Sequence, residues 1–149
     1  DPVQALLDKT VDLLRNSLNH HVETYRRTFD AEQAALEQDA DWQRLGPQQR
    51  GDILARQHLS DTVAVDLSGP ERIADELERC SLSQWGDRTQ ALPPRFERAR
   101  EEAARLLQPK IVRVDLPRRT LTDETELAEW LKDAEQRIRE KLQDGPVMI

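Results

Sequence analysis

The sequence predicts a mainly α (α+β) fold: an elongated hairpin of long helices, with short helices at its tip and a small C-terminal β-α-β element. Three observations predict it. Apolar residues Leu7, Val11, Leu14, Leu18, Val22, Tyr25 and Phe29 follow one another in steps of 4, 3, 4, 4, 3 and 4, a spacing that only an amphipathic helix explains. A second helical stripe, Leu92, Phe96, Ala99, Ala103 and Leu106, offers a partner of the same kind. After Gln108-Pro109 the apolar period drops to two, then returns to helical, and the chain ends on Val147-Met148-Ile149.

The first stripe has a mean step near 3.67, closer to an eleven-residue repeat than to a heptad, so the helix should run nearly straight. It is expected over residues 3–37, about 50 Å at the rise of an α-helix, and one stripe of that length needs a partner helix. Trp42 and Leu45 read as a short helical turn before Gly46-Pro47. Residues 48–59 then read as a second helix, with Ile53 and Leu54 inward.

Val63, Val65 and Leu67 alternate with Ala64 and Asp66, the pattern of a short strand or an extended connector. Ser68-Gly69-Pro70-Glu71 opens a third helix, because a proline in the first turn sacrifices no hydrogen bond. Its inner face is Ile73 and Leu77. Ser81 with Gln84 three residues on forms a capping box for a short helix holding Trp85. Pro93-Pro94 is expected to start another helix, 93–107, lying antiparallel to the first, so that residues 1–109 make one helical region.

Ile111, Val112, Val114 and Leu116, closed by Pro117, form the best strand in the chain. Thr122 or Asp123 caps a helix carrying Leu127, Trp130, Leu131, Ala134, Ile138 and Leu142 inward, which stops at Gly145-Pro146. With the closing apolar triplet this gives a strand-helix-strand unit over 110–149, continuous with the same domain. Right-handed crossover sets its two strands parallel. A two-stranded sheet is small, so it is expected to borrow a strand, from residues 63–67 or from elsewhere.

Composition excludes several function classes. A chain of 149 residues with 37% hydrophobic and 34% charged content and a mean hydropathy of -0.79 suits a body with much surface. The net charge of -7 opposes bulk binding to a phosphate backbone. One local exception survives: residues 95–119 hold 8 Lys/Arg against 4 Asp/Glu. Cys80 is alone, so no internal disulfide forms and a reducing cytoplasm is expected. No apolar run reaches membrane-spanning length and no signal-peptide pattern opens the chain. A start at Asp1-Pro2 reads as a piece of something longer.

The candidate chemistry is thin. His20 and His21 are adjacent, hence about 100° apart on a helix and unable to chelate one metal together; His58 is isolated. Cys80 would be a nucleophile only if a histidine approached it in space, and it reads instead as a small apolar residue. Ser81 and Ser83 read as caps, lying in no nucleophile elbow. Five glycines include no phosphate-binding array, so no catalytic, cofactor or metal residue is assigned. The acidic residues Glu126, Glu129 and Asp133 alternate with Lys132, Arg137 and Lys141, as on a solvated helix face. The feature that could touch a ligand is the basic band: Arg95, Arg98, Arg100, Arg105, Lys110, Arg113, Arg118 and Arg119. Its alternative is ordinary solvation with pairing to the acidic first helix.

The stretch Ala104-Arg-Leu-Leu-Gln-Pro-Lys-Ile-Val-Arg-Val-Asp-Leu-Pro-Arg-Arg-Thr-Leu, with Glu126-Leu-Ala-Glu-Trp-Leu and Asp144-Gly-Pro-Val-Met-Ile, resembles the C-terminal region of the large P-loop ATPases of BREX and phage-growth-limitation systems. Asp41-Trp-Gln-Arg-Leu and Ser81-Leu-Ser-Gln-Trp fit the same picture, so the resemblance spans about residues 30–149. It implies the excised terminal domain of a bacterial phage-defence protein whose ATPase motifs lie elsewhere in the parent chain. The expected partners are then other domains of that parent and other defence proteins, with weak DNA contact through the basic band and self-association through the long helix as further candidates, and no membrane.

Three function classes follow from this reading. The first is a non-enzymatic protein-interaction or assembly module. The second is a DNA-contacting module acting through residues 95–119. The third is a small hydrolase using Cys80 or a histidine.

Overall fold

The computed structural model describes residues 1–149, in six helices and one two-stranded parallel sheet. The chain divides into two compact units, Asp1–Leu106 and Leu107–Ile149.

Unit 1 begins with α1 (Pro2–Glu37), 36 residues and about 54 Å of helix. Asp1 caps it, accepting from the Val3 N–H at 3.0 Å, and Pro2 occupies the first turn. Asp39 caps the single turn α2 (Ala40–Gln43), which buries Trp42. Helix α3 (Pro47–Arg56) buries Ile53 and half-buries Leu54. It ends three residues before the expected limit. His58 takes φ 55, its N–H bonds Ala55 O, and the Leu59 N–H bonds Leu54 O at 2.8 Å. This paired closure is the Schellman stop, made here without the usual glycine.

Beyond that turn, residues 59–67 run as a connector rather than as a strand, so the second of the two readings of this segment holds and no third strand reaches the sheet. Burial still alternates: Val63, Val65 and Leu67 are half-buried while their neighbours are exposed. In place of a strand partner, side chains satisfy its backbone. Arg26 donates to Val63 O at 3.1 Å, Arg15 to Leu67 O at 3.2 Å, and Glu76 accepts from the Asp66 N–H at 3.4 Å. Helix α4 (Pro70–Arg79) follows with Ile73 buried and Leu77 half-buried, and lies against α1.

Helix α5 (Leu82–Leu107) corrects the expectation of two separate helices. Ser81 and Gln84 do form the capping box, with reciprocal bonds of 2.8 and 3.1 Å. The helix it opens then passes through Pro93 and Pro94 without ending. Both prolines are exposed, and the residues around them, Trp85, Leu92, Phe96, Ala99 and Ala103, are buried at 3% exposure or less. An interior proline costs about 3 kcal/mol; burying this row, at roughly 1.5–3 kcal/mol for each large apolar side chain, outweighs that cost.

The two long helices pair as expected, but not antiparallel. Tyr25 meets Trp85 at 5.6 Å, Phe29 meets Phe96 at 5.3 Å, and Glu32 meets Arg100 at 3.7 Å. These contacts advance together along both helices, so α1 and α5 run in the same sense. The connecting segment 59–67 carries the chain back along α1, with Val63 at Arg26 and Leu67 at Arg15.

In unit 2, β1 (Val112–Arg113) pairs parallel with β2 (Val147–Met148) in the register Val112↔Val147 and Arg113↔Met148, with α6 (Glu124–Leu142) between. The parallel crossover is as expected, but the ladder is two residues long against the six of the predicted strand. Gly145, at φ +147, makes the turn into β2; a Cβ there would lie 2.7 Å from Lys110 O. Asp123 is the cap of α6, accepting from the Glu126 N–H at 2.8 Å. The indole of Trp130 donates to Pro117 O at 2.7 Å, tying α6 to the chain beyond β1.

Candidate interaction surface

The stripe of α1 is covered along only part of its length. Leu18 and Val22 are fully buried and Tyr25 nearly so. Upstream, where an inward face was expected, Leu7 is 53% exposed and Leu14 38%. Val3, Leu6 and Leu13 beside them stand at 64, 65 and 58%. The physical reason is reach: the hydrogen bonds between α1 and the connecting segment extend no farther up α1 than Arg15, which donates to Leu67 O, and residues 1–10 are all exposed.

The basic band is divided between the two units. In unit 1, Arg95 is half-buried and Arg98 donates to Gln57 Oε1 at 3.0 Å. Arg100 pairs with Glu97 at 2.9 Å and Glu32 at 3.7 Å, the one point where the band meets the acidic first helix. Arg105 is exposed and its charge bears on Glu102. In unit 2, Arg119 pairs with Glu126 at 3.8 Å, while Lys110, Arg113 and Arg118 are exposed with no carboxylate within 4 Å. Glu126 also accepts from the Thr122 backbone and hydroxyl, both 2.8 Å; these bonds, more than the nearby Arg119 charge, hold its carboxyl below the usual range.

A cleft of about 500 Å³ opens between the connecting segment, the end of α4 and the start of α5. It holds Cys80, whose sulfur lies 3.9 Å from an Arg88 nitrogen, and Trp85, whose ring Arg88 covers at 4.4 Å. Glu76, almost fully buried there, is held by Arg79 at 3.3 Å as well as by the Asp66 N–H. Trp85 Nε1 is buried without a hydrogen-bond partner. No histidine lines the cleft. His20 and His21 contact each other on α1, and His58 terminates α3, so the histidine that the hydrolase expectation required is not beside the thiol. No group of three His, Cys, Asp or Glu side chains is positioned to hold a metal ion.

Sequence reasoning missed Glu102. It accepts from Arg56 at 2.8 and 3.1 Å and from Gln57 at 2.7 Å, joining α5 to the end of α3. Nothing local in the sequence signals a pairing across forty-five residues. No helix is long and apolar enough to cross a membrane.

What fold and surface define together is a helical unit with a partly uncovered long helix, followed by a small parallel β-α-β unit. No family model, curated protein or solved structure matches the chain.

Proposed function

We propose that this chain is a non-enzymatic interaction module whose docking element is the uncovered N-terminal part of α1. The observation that carries the reading is the change of exposure along one helix. Leu18 and Val22 are fully buried, whereas Val3, Leu6, Leu7, Leu13 and Leu14 keep between 38 and 65% of their surface in water. Apolar surface gathered on one helix face marks an interaction site, unlike apolar residues scattered singly. Covering those five side chains is worth about 1–2 kcal/mol each, against an association cost of roughly 4–15 kcal/mol. A partner must therefore bring an apolar face of its own.

The resemblance of residues 104–149 to the C-terminal region of phage-defence ATPases supports a wider setting, in which the module serves assembly of a larger complex. In that setting the chemistry belongs to other parts of the parent protein.

The test is site-directed photocrosslinking in cells expressing the protein. A photoreactive residue replacing Leu6 or Leu13 should give a discrete protein adduct, and one replacing Asp8 on the opposite face should give none. Silence at both leucines, or equal labelling from Asp8, overturns the reading.

A further inference from the structure

We propose that the occupant of the uncovered α1 face is a second copy of this chain, laid antiparallel with a two-fold axis through Thr10. This rests on the reading of α1 as a docking element and names its partner.

The segment Leu6-Leu7-Asp8-Lys9-Thr10-Val11-Asp12-Leu13-Leu14 reads almost the same in both directions. Leucines stand three and four residues to either side of Thr10, and aspartates two residues to either side. A two-fold interface requires one patch to be its own complement after a half-turn. An antiparallel helix pair centred on Thr10 meets that requirement. Leu6 lies opposite Leu14 of the second copy, Leu7 opposite its Leu13, and Thr10 opposite Thr10.

The helical angles agree. At about 100° per residue, Val3, Leu6, Leu7, Thr10, Leu13, Leu14 and Ser17 fall within an arc of roughly 120°, and none of them is charged. Asp8 and Asp12 fall on the far side of the helix, so the like charges that the symmetry would otherwise bring together do not meet. All seven of these positions are exposed.

The length of the overlap is set by the fold. Full burial begins at Leu18, and with the axis at Thr10, Leu18 of one copy stands level with Pro2 of the other. The contact therefore runs over residues 3–17, about 21 Å of helix, and the packed parts of the two copies lie at opposite ends of it. A strip one helix wide and this long is small among stable interfaces, so the dimer is concentration-dependent.

The experiment uses the whole chain with Cys80→Ser and single cysteines introduced on α1. Under mild oxidation Thr10→Cys should form a disulfide dimer at least tenfold faster than Leu6→Cys, whose two copies sit eight residues apart along the pair. Leu6→Cys mixed with Leu14→Cys should restore cross-linking. Sedimentation should show a monomer–dimer equilibrium that is lost in Leu7→Glu/Leu13→Glu while helicity is kept. Rapid self-cross-linking of Leu6→Cys means a parallel pair and overturns the proposal. A monomer throughout the accessible concentration range, with no disulfide dimer, overturns it too. In that case photocrosslinks from Leu6 and Leu13 to a different protein would leave the docking reading standing, and their absence would remove both.

Discussion

Glu102 gathers three donors from the end of α3, and the balance of forces on it has a consequence for acid stability. Burial alone would raise its pKa, but bonds from Arg56 and Gln57, with the charges of Arg56 and Arg105, outweigh that and hold the carboxyl below its ordinary value. A carboxyl depressed by folding adds stability above its unfolded-state value, near 4.3, and loses it as pH falls through the folded value. Glu102→Gln should therefore lower stability at neutral pH by about 1 kcal/mol, since Arg56 is half exposed. It should also flatten the loss of stability below about pH 4.3. Urea unfolding of both proteins from pH 3 to 7 measures the two effects. Residue-level features divide by range. The Ser81–Gln84 box was legible because both partners sit within one turn. The turn at His58 was not, because a left-handed residue that is neither glycine nor asparagine carries no local signal.

Helix α5 shows the same division one level up. Its stripe was legible, and Leu92, Phe96, Ala99 and Ala103 are all fully buried. The paired prolines were read as a start because the local rule favours that position, yet packing on either side carries the helix through them. They should thus be a standing cost. Pro94→Ala restores an N–H able to bond Gln90 O and should raise stability by about 1–3 kcal/mol, read as a higher midpoint of thermal unfolding. An unchanged or lower midpoint would mean that a bend at this point is needed by the packing. Whether α1 and α5 run in the same or opposite sense was not legible, since periodicity defines a face and has no direction.

Across the whole chain, secondary structure and the parallel crossover were readable because amphipathic period and crossover handedness are local or near-local rules. The extent of burial was not. The α1 stripe has similar residues at Leu7 and Leu18, and only the position of the neighbouring elements decides that one is 53% exposed and the other 0%. Backbone stability should follow coverage rather than sequence. In dilute protein, amides of residues 3–14 should exchange at least tenfold faster than those of residues 18–36, as hydrogen–deuterium exchange would show. Uniform protection along α1 would contradict this.

The route of the chain between α1 and α5 also bears on how the protein acquires its structure. A helical hairpin closes a short loop and can zip up from its turn. Here Tyr25 must find Trp85, and Phe29 must find Phe96, about sixty residues away, with α3, α4 and the connecting segment lying between them in sequence. Loop-closure entropy must be spent before those aromatic contacts repay it. Unit 1 should accordingly collapse more slowly than an up-down bundle of equal helix content, with its two longest helices formed individually before they meet.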